Sequence, residues 1–377
     1  LAGYYQDRKG AFRPLAPVLP SCPAMISIRG ISVTSNIFKQ LVRRLTFLFS
    51  ALIGLVILIA LILVTYKKEP IIEQLDVVNQ TILEWDSEKL IIDNPKVPDE
   101  VKQGYYLVAE SSKYMGPLAK EPLKRYAGNN LSCTNCHLNG GTLSGSASWI
   151  GILERFPQFR GRENKVGTIE ERINGCMERS MNGVKFDETS VQMKAMIAYI
   201  DWISKELEDL NSKNFKGYPA IKLPELAVDL NAGSQIYVRE CVLCHGKNGE
   251  GIRYEDFDKG YLYPPLWGDD TYNDGAGMHR VITAAAFIKN NMPYLQATWE
   301  EPKLTDEEAY NVAGYINSFQ RPEKQNKTAD FPDKKLKPVS TPYGPWTDNF
   351  SPKQHKYGPF PPMISFYQKT FGLTKTK

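Results

Sequence analysis

The sequence predicts a mainly α-helical chain, with two tandem helical domains behind a single N-terminal transmembrane helix. Three observations carry that expectation. Residues 45–66, LTFLFSALIGLVILIALILVTY, contain no charged side chain. The pattern Cys-x-x-Cys-His occurs twice, beginning at Cys133 and at Cys241, 108 residues apart. Each occurrence is flanked by apolar residues at helical spacing. At 377 residues the chain also exceeds one small domain. Its 46 basic and 42 acidic residues leave a net charge of only +4, which gives no basis for a nucleic-acid partner. It carries neither a Gly-rich phosphate loop before a helix nor a zinc-type Cys/His grid.

Twenty-two helical residues rise about 33 Å, enough to cross a hydrocarbon core of about 30 Å. Arg43 and Arg44 precede the stretch, while Lys67 and Lys68 follow it, so a slight basic excess upstream places the N terminus inside. The apolar run outlasts the roughly 7–15 residues of a cleaved secretory signal, and no small-residue cleavage site follows Tyr66. An uncleaved anchor is therefore expected. Within the N-terminal segment, residues 1–44, those before Met25 lack periodicity. Translation is expected to begin at Met25, which leaves Cys22 without a role. Residues 67–97 mix charged and apolar side chains and read as a stalk.

The first domain is expected over residues 98–212. Val101, Tyr105, Val108 and Ala109 are spaced for one buried helical face after Pro98. The first motif, Cys133–His137, precedes a Gly/Ser-rich loop at 139–148. Thr168 and Glu171 form a capping box that opens a helix to about Met181. Another helix, about 189–210, turns Met196, Ile197, Ile200 and Ile203 inward. A linker at 213–224 leads to the second domain, 225–322, which repeats the plan. It has a helix near 230–239, the motif Cys241–His245, a helix near 277–291, and a closing helix capped by Thr305 and Glu308. The tail, 323–377, holds ten lysines against four acids, with many prolines and aromatics. A docking arm for an acidic electron partner is one reading; the aromatics favour a strap that packs Trp346, Phe350 and Phe360.

Cys-x-x-Cys-His is the attachment pattern of c-type haem. Two thiols at i and i+3 each bond a vinyl group, and the following histidine ligates iron. A redox CxxC or half a zinc site is the alternative use, and two copies that both end in His argue against it. The sequence thus predicts two covalently attached haems c, on Cys133, Cys136 and His137 and on Cys241, Cys244 and His245, in class I cytochrome c-like domains outside the cytoplasm. In the second domain Met292, just before Pro293, stands 47 residues after His245 and is the expected distal ligand. Met278 and His279 are rivals at the start of a helix. In the first domain two residues compete. Cys176 is the cysteine left over once Cys22 and the four haem thiols are subtracted, and Met181 follows His137 by 44 residues. Five helical residues turn about 140°, so one iron meets only one of them. Arg172, Cys176 and Ser180 fall at i, i+4 and i+8 on one face, with Arg179 adjacent. Guanidinium groups there would favour a thiolate and hold a small dianion. Glu170, Glu171 and Glu178 could instead neutralise them, and spacing leaves both readings open.

The stretches SCTNCHLNGG, FPQFRGRENKVGTIEERINGCMERSMNG and YPPLWGDDTYNDGAGMHRVITAAAFIKNNMP resemble the dihaem thiosulfate dehydrogenase family, across about residues 100–322. The resemblance implies that Cys176, rather than Met181, is the distal ligand of the first haem. It further implies that Arg162, Arg172 and Ser180 form an anion pocket. Such enzymes couple two thiosulfates into tetrathionate and release two electrons, or run the reverse, with a transient sulfur adduct on the cysteine. The second haem, with His245 and Met292, would then pass electrons to a c-type cytochrome or a membrane-bound oxidase. Some relatives carry a lysine beside the methionine that exchanges with it; here the neighbour is Asn291, so no such switch is expected, with Lys289 close by. Many relatives are soluble, whereas the anchor here implies a single-pass protein of a bacterial inner membrane with its haem domains in the periplasm. A membrane-anchored dihaem shuttle without catalysis is the other reading. Cys176 and its arginine face separate the two.

Overall fold

The computed structural model describes residues 4–6, 12–14, 35–65, 86–206 and 217–376. Tyr66, the expected start at Met25 with Cys22, most of the stalk, and residues 207–216 lie outside the described residues. The chain divides into two units, residues 1–73 and 74–377. In the first, strands β1 (Tyr4–Gln6) and β2 (Phe12–Pro14) pair antiparallel. Helix α1 spans Ser35–Thr65, and its stretch Phe38–Leu61, of mean hydropathy 2.4 and unburied, is long and apolar enough to cross a membrane. The helix starts ahead of the uncharged run at 45–66 because Arg43 and Arg44 are themselves good helix formers.

The second unit is mainly α-helical. Its stalk-side end departs from expectation: Glu88–Ile92 forms a single π-helical turn, and Ile91 and Val97 are buried in the first core. Helix α2 (Asp99–Ala109) carries Asp99 and Glu100 in its first turn, favourable to the helix dipole, and buries Val101 and Val108. Helix α3 (Ile169–Arg179) is opened by the Thr168–Glu171 capping box. Helix α4 (Val191–Glu206) buries Met193, Met196, Ile200 and Ile203, the 3- and 4-residue spacing of one apolar stripe. Before α3, strands β3 (Gln158–Arg160) and β4 (Lys165–Gly167) form a hairpin.

The second half repeats the pairing. Helix α5 (Leu230–Glu240), capped by Asp229, packs on the closing helix α7 (Asp306–Ile316). A short hairpin of β5 (Ile252–Arg253) and β6 (Tyr261–Tyr263) follows the motif. The helix expected over 277–291 is broken: Gly277–His279 is a 3-10 turn, Arg280 is extended, and α6 runs Val281–Asn291. In both halves the first helix meets the last at a glycine. A Cβ on Gly104 would lie 2.0 Å from Ala195 O, and one on Gly233 would lie 2.2 Å from Asn311 O. Only a residue without a side chain lets these backbones approach so closely.

Buried side-chain amides lace the halves together. Asn130 donates from its backbone and side chain to Asp270, which also accepts from Arg253 and Tyr261. Asn291 Nδ2 donates to Gly145 O at 3.1 Å. Ile221, expected in a linker, is part of the second core. The tail is packed. Phe360, Met363 and Tyr367, the last two on α8 (Pro361–Phe371), are buried in the second core, and Trp346 stacks on buried His355 at 4.1 Å. Phe350 is only partly buried against that core.

Candidate functional site

Both motif histidines are prepared in the same way. His137 Nδ1 lies 2.9 Å from Ala147 O, and His245 Nδ1 lies 2.8 Å from Pro264 O. A carbonyl accepts, so Nδ1 carries the proton and Nε2 is left as the metal-facing nitrogen. Burial pushes His137 down to about 4 and lowers His245 as well, which keeps both rings neutral. Tyr199 donates to Gly140 O and Tyr237 to Gly246 O, so each core fixes the loop after its own motif.

Cys133, Cys136 and His137 line one cavity. Arg172, Cys176, Ser180 and Met181 line it too, together with Trp149 and apolar side chains from α2 and α4. Two of its lining residues, Tyr272 and Met278, come from the second half. Met278 therefore walls the first-half cavity, while His279 is buried and bonded through Nδ1 to Asp274 O. Met292 ends α6 and packs, partly buried, against the second core. Lys289 is held by Asp306 at 2.6 Å. Met181 lies beyond the end of α3, so the helical angle invoked to separate it from Cys176 does not apply, and both reach the same cavity.

The residues present fit a haem. A cavity with two thiols and a neutral imidazole accepts the covalently attached ring. Arg321 Nε and Nη1 are buried without a hydrogen-bond partner among the described residues and suit a propionate carboxylate. Arg321 lies 4.3 Å over the ring of Tyr272, one of the cavity-lining residues.

Arginines crowd around Cys176. Arg172 Nη1 donates to Cys176 Sγ at 3.0 Å, and the neighbouring Cys176 raises the pKa of Arg172 above its ordinary value. Glu171, a candidate to neutralise this face, is taken up by Lys165, and Glu178 lies 3.7 Å from Lys185. Arg179 is buried, 3.8 Å from Glu163, and held down to about 10 by burial and by Arg162. Arg160, on β3, is likewise lowered by burial and then by Arg172. Arg162, implied in the anion pocket, is not among the residues that line this cavity, and the tail pairs with it. Asp330 pairs with its Nη1, Tyr343 lies 3.1 Å away, and Phe331 N donates to Arg162 O. Sequence reasoning missed Arg160, Arg280, Tyr272 and Asp330. Arg160 and Arg280 stood inside conspicuous stretches, but nothing local marked Asp330.

Over residues 123–208 the sequence matches the family described as SoxA/TsdA, cytochrome c domain, and over 230–320 the family described as Cytochrome c. The thiosulfate dehydrogenase of Stutzerimonas stutzeri (strain A1501) is 38% identical over 223 residues, covering 59% of this chain and 68% of that protein. The thiosulfate dehydrogenase of Allochromatium vinosum is 38% identical over 212 residues, covering 55% of this chain and 76% of that protein. Among solved structures, thiosulfate dehydrogenase (TsdBA) from Marichromatium purpuratum, in its as-isolated form, is similar with a TM-score of 0.54 at 33% identity. That match covers 62% of this chain and 49% of the other, so this chain spans about half the length of that one.

Proposed function

Because the chain belongs to the thiosulfate dehydrogenase family and is an oxidoreductase of that type with cytochrome c domains, we propose that it joins two thiosulfates into tetrathionate in the first-half cavity, or runs the reverse. The observation that carries the reading is the 3.0 Å bond from Arg172 Nη1 to Cys176 Sγ inside that cavity. Two haems c, one per motif, supply iron that accepts single electrons. His137 and Cys176 would hold the first, and His245 and Met292 the second.

The rest of the chemistry falls to side chains. Arg172 donates to the Cys176 sulfur, whose thiolate is the nucleophilic form. The sulfane sulfur of one thiosulfate bonds to Sγ with loss of two electrons, for which bound haem iron would be the acceptor. A second thiosulfate then attacks that sulfane sulfur, displaces the Cys176 thiolate, and departs as tetrathionate. Bringing two dianions together is the electrostatic obstacle, since two like unit charges at about 4 Å repel by about 4 kcal/mol at an effective dielectric constant of about 20. Arg160, Arg172 and Arg179 offset that repulsion, and Ser180 offers a hydroxyl from the end of α3. Electrons leave through the second half to a c-type cytochrome or membrane-bound oxidase. Helix α1 would anchor the protein by a single pass in the bacterial inner membrane, with both haem domains in the periplasm. A shuttle without catalysis leaves the arginine-lined thiol without use.

The test is turnover of the purified protein with thiosulfate and ferricyanide, beside Cys176→Ala and Cys176→Met. Loss of kcat by about 100-fold or more is expected in both. Undiminished turnover in either variant would remove Cys176 from the reaction.

A further inference from the structure

Arg280 belongs to the second half by sequence, and the segment that carries it reaches the first-half cavity through Met278. The segment that carries it is docked on the C-terminal end of α3. Asn273 N donates to Arg179 O at 3.1 Å, and Asn273 Nδ2 donates to Glu178 O at 2.8 Å and to Asn182 Oδ1 at 3.0 Å. Two residues before Arg280, Met278 lines the cavity shared with Arg172, Cys176 and Ser180. Burial, then Arg162, Tyr343, Arg179 and Arg172, act on the Arg280 guanidinium, which is pushed down to about 9.

What sets Arg280 apart is the lack of a counterion. Arg162 has Asp330, Arg179 has Glu163, and Arg172 has the sulfur of Cys176. Among the described residues no carboxylate pairs with Arg280, and its one side-chain hydrogen bond is a long 3.5 Å from Nε to Gly277 O. One turn along α6, Thr283 Oγ1 is buried without a partner. Arg280 is half-buried, so its fork stays accessible, and like charges around it favour an anion that completes the set. The planar fork of arginine matches the oxygens of a sulfonate.

We propose that Arg280, reaching across the junction from the second half, anchors the sulfonate end of the sulfur oxyanion whose sulfane sulfur reacts at Cys176. This rests on the thiosulfate reading of the cavity. It makes substrate binding a property of both halves together, because neither half alone carries the full set of cations.

The test uses the full-length holoprotein with Arg280→Gln and Arg280→Lys. Three quantities are measured: kcat and KM for thiosulfate with ferricyanide, the rise in Tm on adding thiosulfate, and the haem potentials. In Arg280→Gln the KM should rise about tenfold or more, as for loss of a charged hydrogen-bond donor, with kcat within about threefold. The thiosulfate-induced rise in Tm should shrink in parallel, Arg280→Lys should recover part of both, and the potentials should hold. If Arg280→Gln yields no holoprotein, Arg280→Lys is judged alone, and an intermediate KM is then the expected result. A KM within twofold of wild type in the variants overturns the proposal. An unchanged KM with a shifted haem potential overturns it in favour of a propionate contact. A wild-type protein whose Tm responds to thiosulfate but which does not turn over refutes the catalytic reading, and Arg280 is then judged on the Tm response. With neither response in the wild type, both readings fall.

Discussion

Replacing Gly104 by alanine should loosen the first half and leave the second intact. An added Cβ would stand 2.0 Å from Ala195 O and 2.7 Å from both Ala195 C and Tyr199 Cβ, where ordinary contact begins at 3.4 Å. Helices α2 and α4 would therefore have to part by about 1.4 Å at this point, the difference between those two distances. Alanine gains about 1 kcal/mol of helix propensity over glycine. Against that, overpacking costs about 1–3 kcal/mol. A gap of even about 0.5–1 Å also forfeits a quarter to a half of the dispersion energy across the seam. The net is a loss of about 2 kcal/mol, or about 8 °C in the Tm of a domain this size. Val108, Met196 and Ile200 stand on these two helices and line the cavity, so thiosulfate turnover should fall as well. Thermal unfolding followed by haem absorbance reads the first effect, and Gly233→Ala, facing Asn311 O at 2.2 Å, is the matched change in the other half. A Gly104→Ala protein that melts at or above the wild-type temperature would refute the close-approach argument.

Two further outcomes follow from the tail. Burial opposes the charge of Asp330, but Arg162 and Tyr343 outweigh it and hold the carboxyl below its ordinary range. A depressed carboxyl stabilises the fold fully above about pH 4 and loses that contribution as pH falls further. Asp330→Asn should therefore be about 3 kcal/mol less stable at pH 7, as for an opened buried pair, with the gap narrowing below about pH 4. A gap independent of pH would contradict this. Ending the chain after residue 322 removes the fully buried Phe360, Met363 and Tyr367 from the second core. Each contributes about 1.5–3 kcal/mol when buried, so the second half should melt far earlier than the first, which differential haem absorbance would register. Coincident melting would count against the strap.

Local signals made much of the fold legible. The capping boxes at Thr168 and Thr305 begin α3 and α7 where the sequence placed them, and an apolar helix overlaps the uncharged run. The spacing of Arg172, Cys176 and Ser180 does bring all three to one cavity. What escaped is non-local. Arg162 and Asp330 meet from 168 residues apart, and no periodicity records that pairing. Arg280 looked like the interior of one helix, yet it is the extended residue between a 3-10 turn and α6. Ile91 read as stalk because a single turn with one buried side chain leaves no repeating pattern.

The bond from Phe331 N to Arg162 O, with Asp330 and Tyr343 beside it, ties the hairpin near the thiol to residues far along the polypeptide. A genetic screen for lost turnover would therefore recover changes at Asp330 and Tyr343 among those at the hairpin itself. Judged by phenotype, such mutants would be mistaken for lesions in the reacting centre.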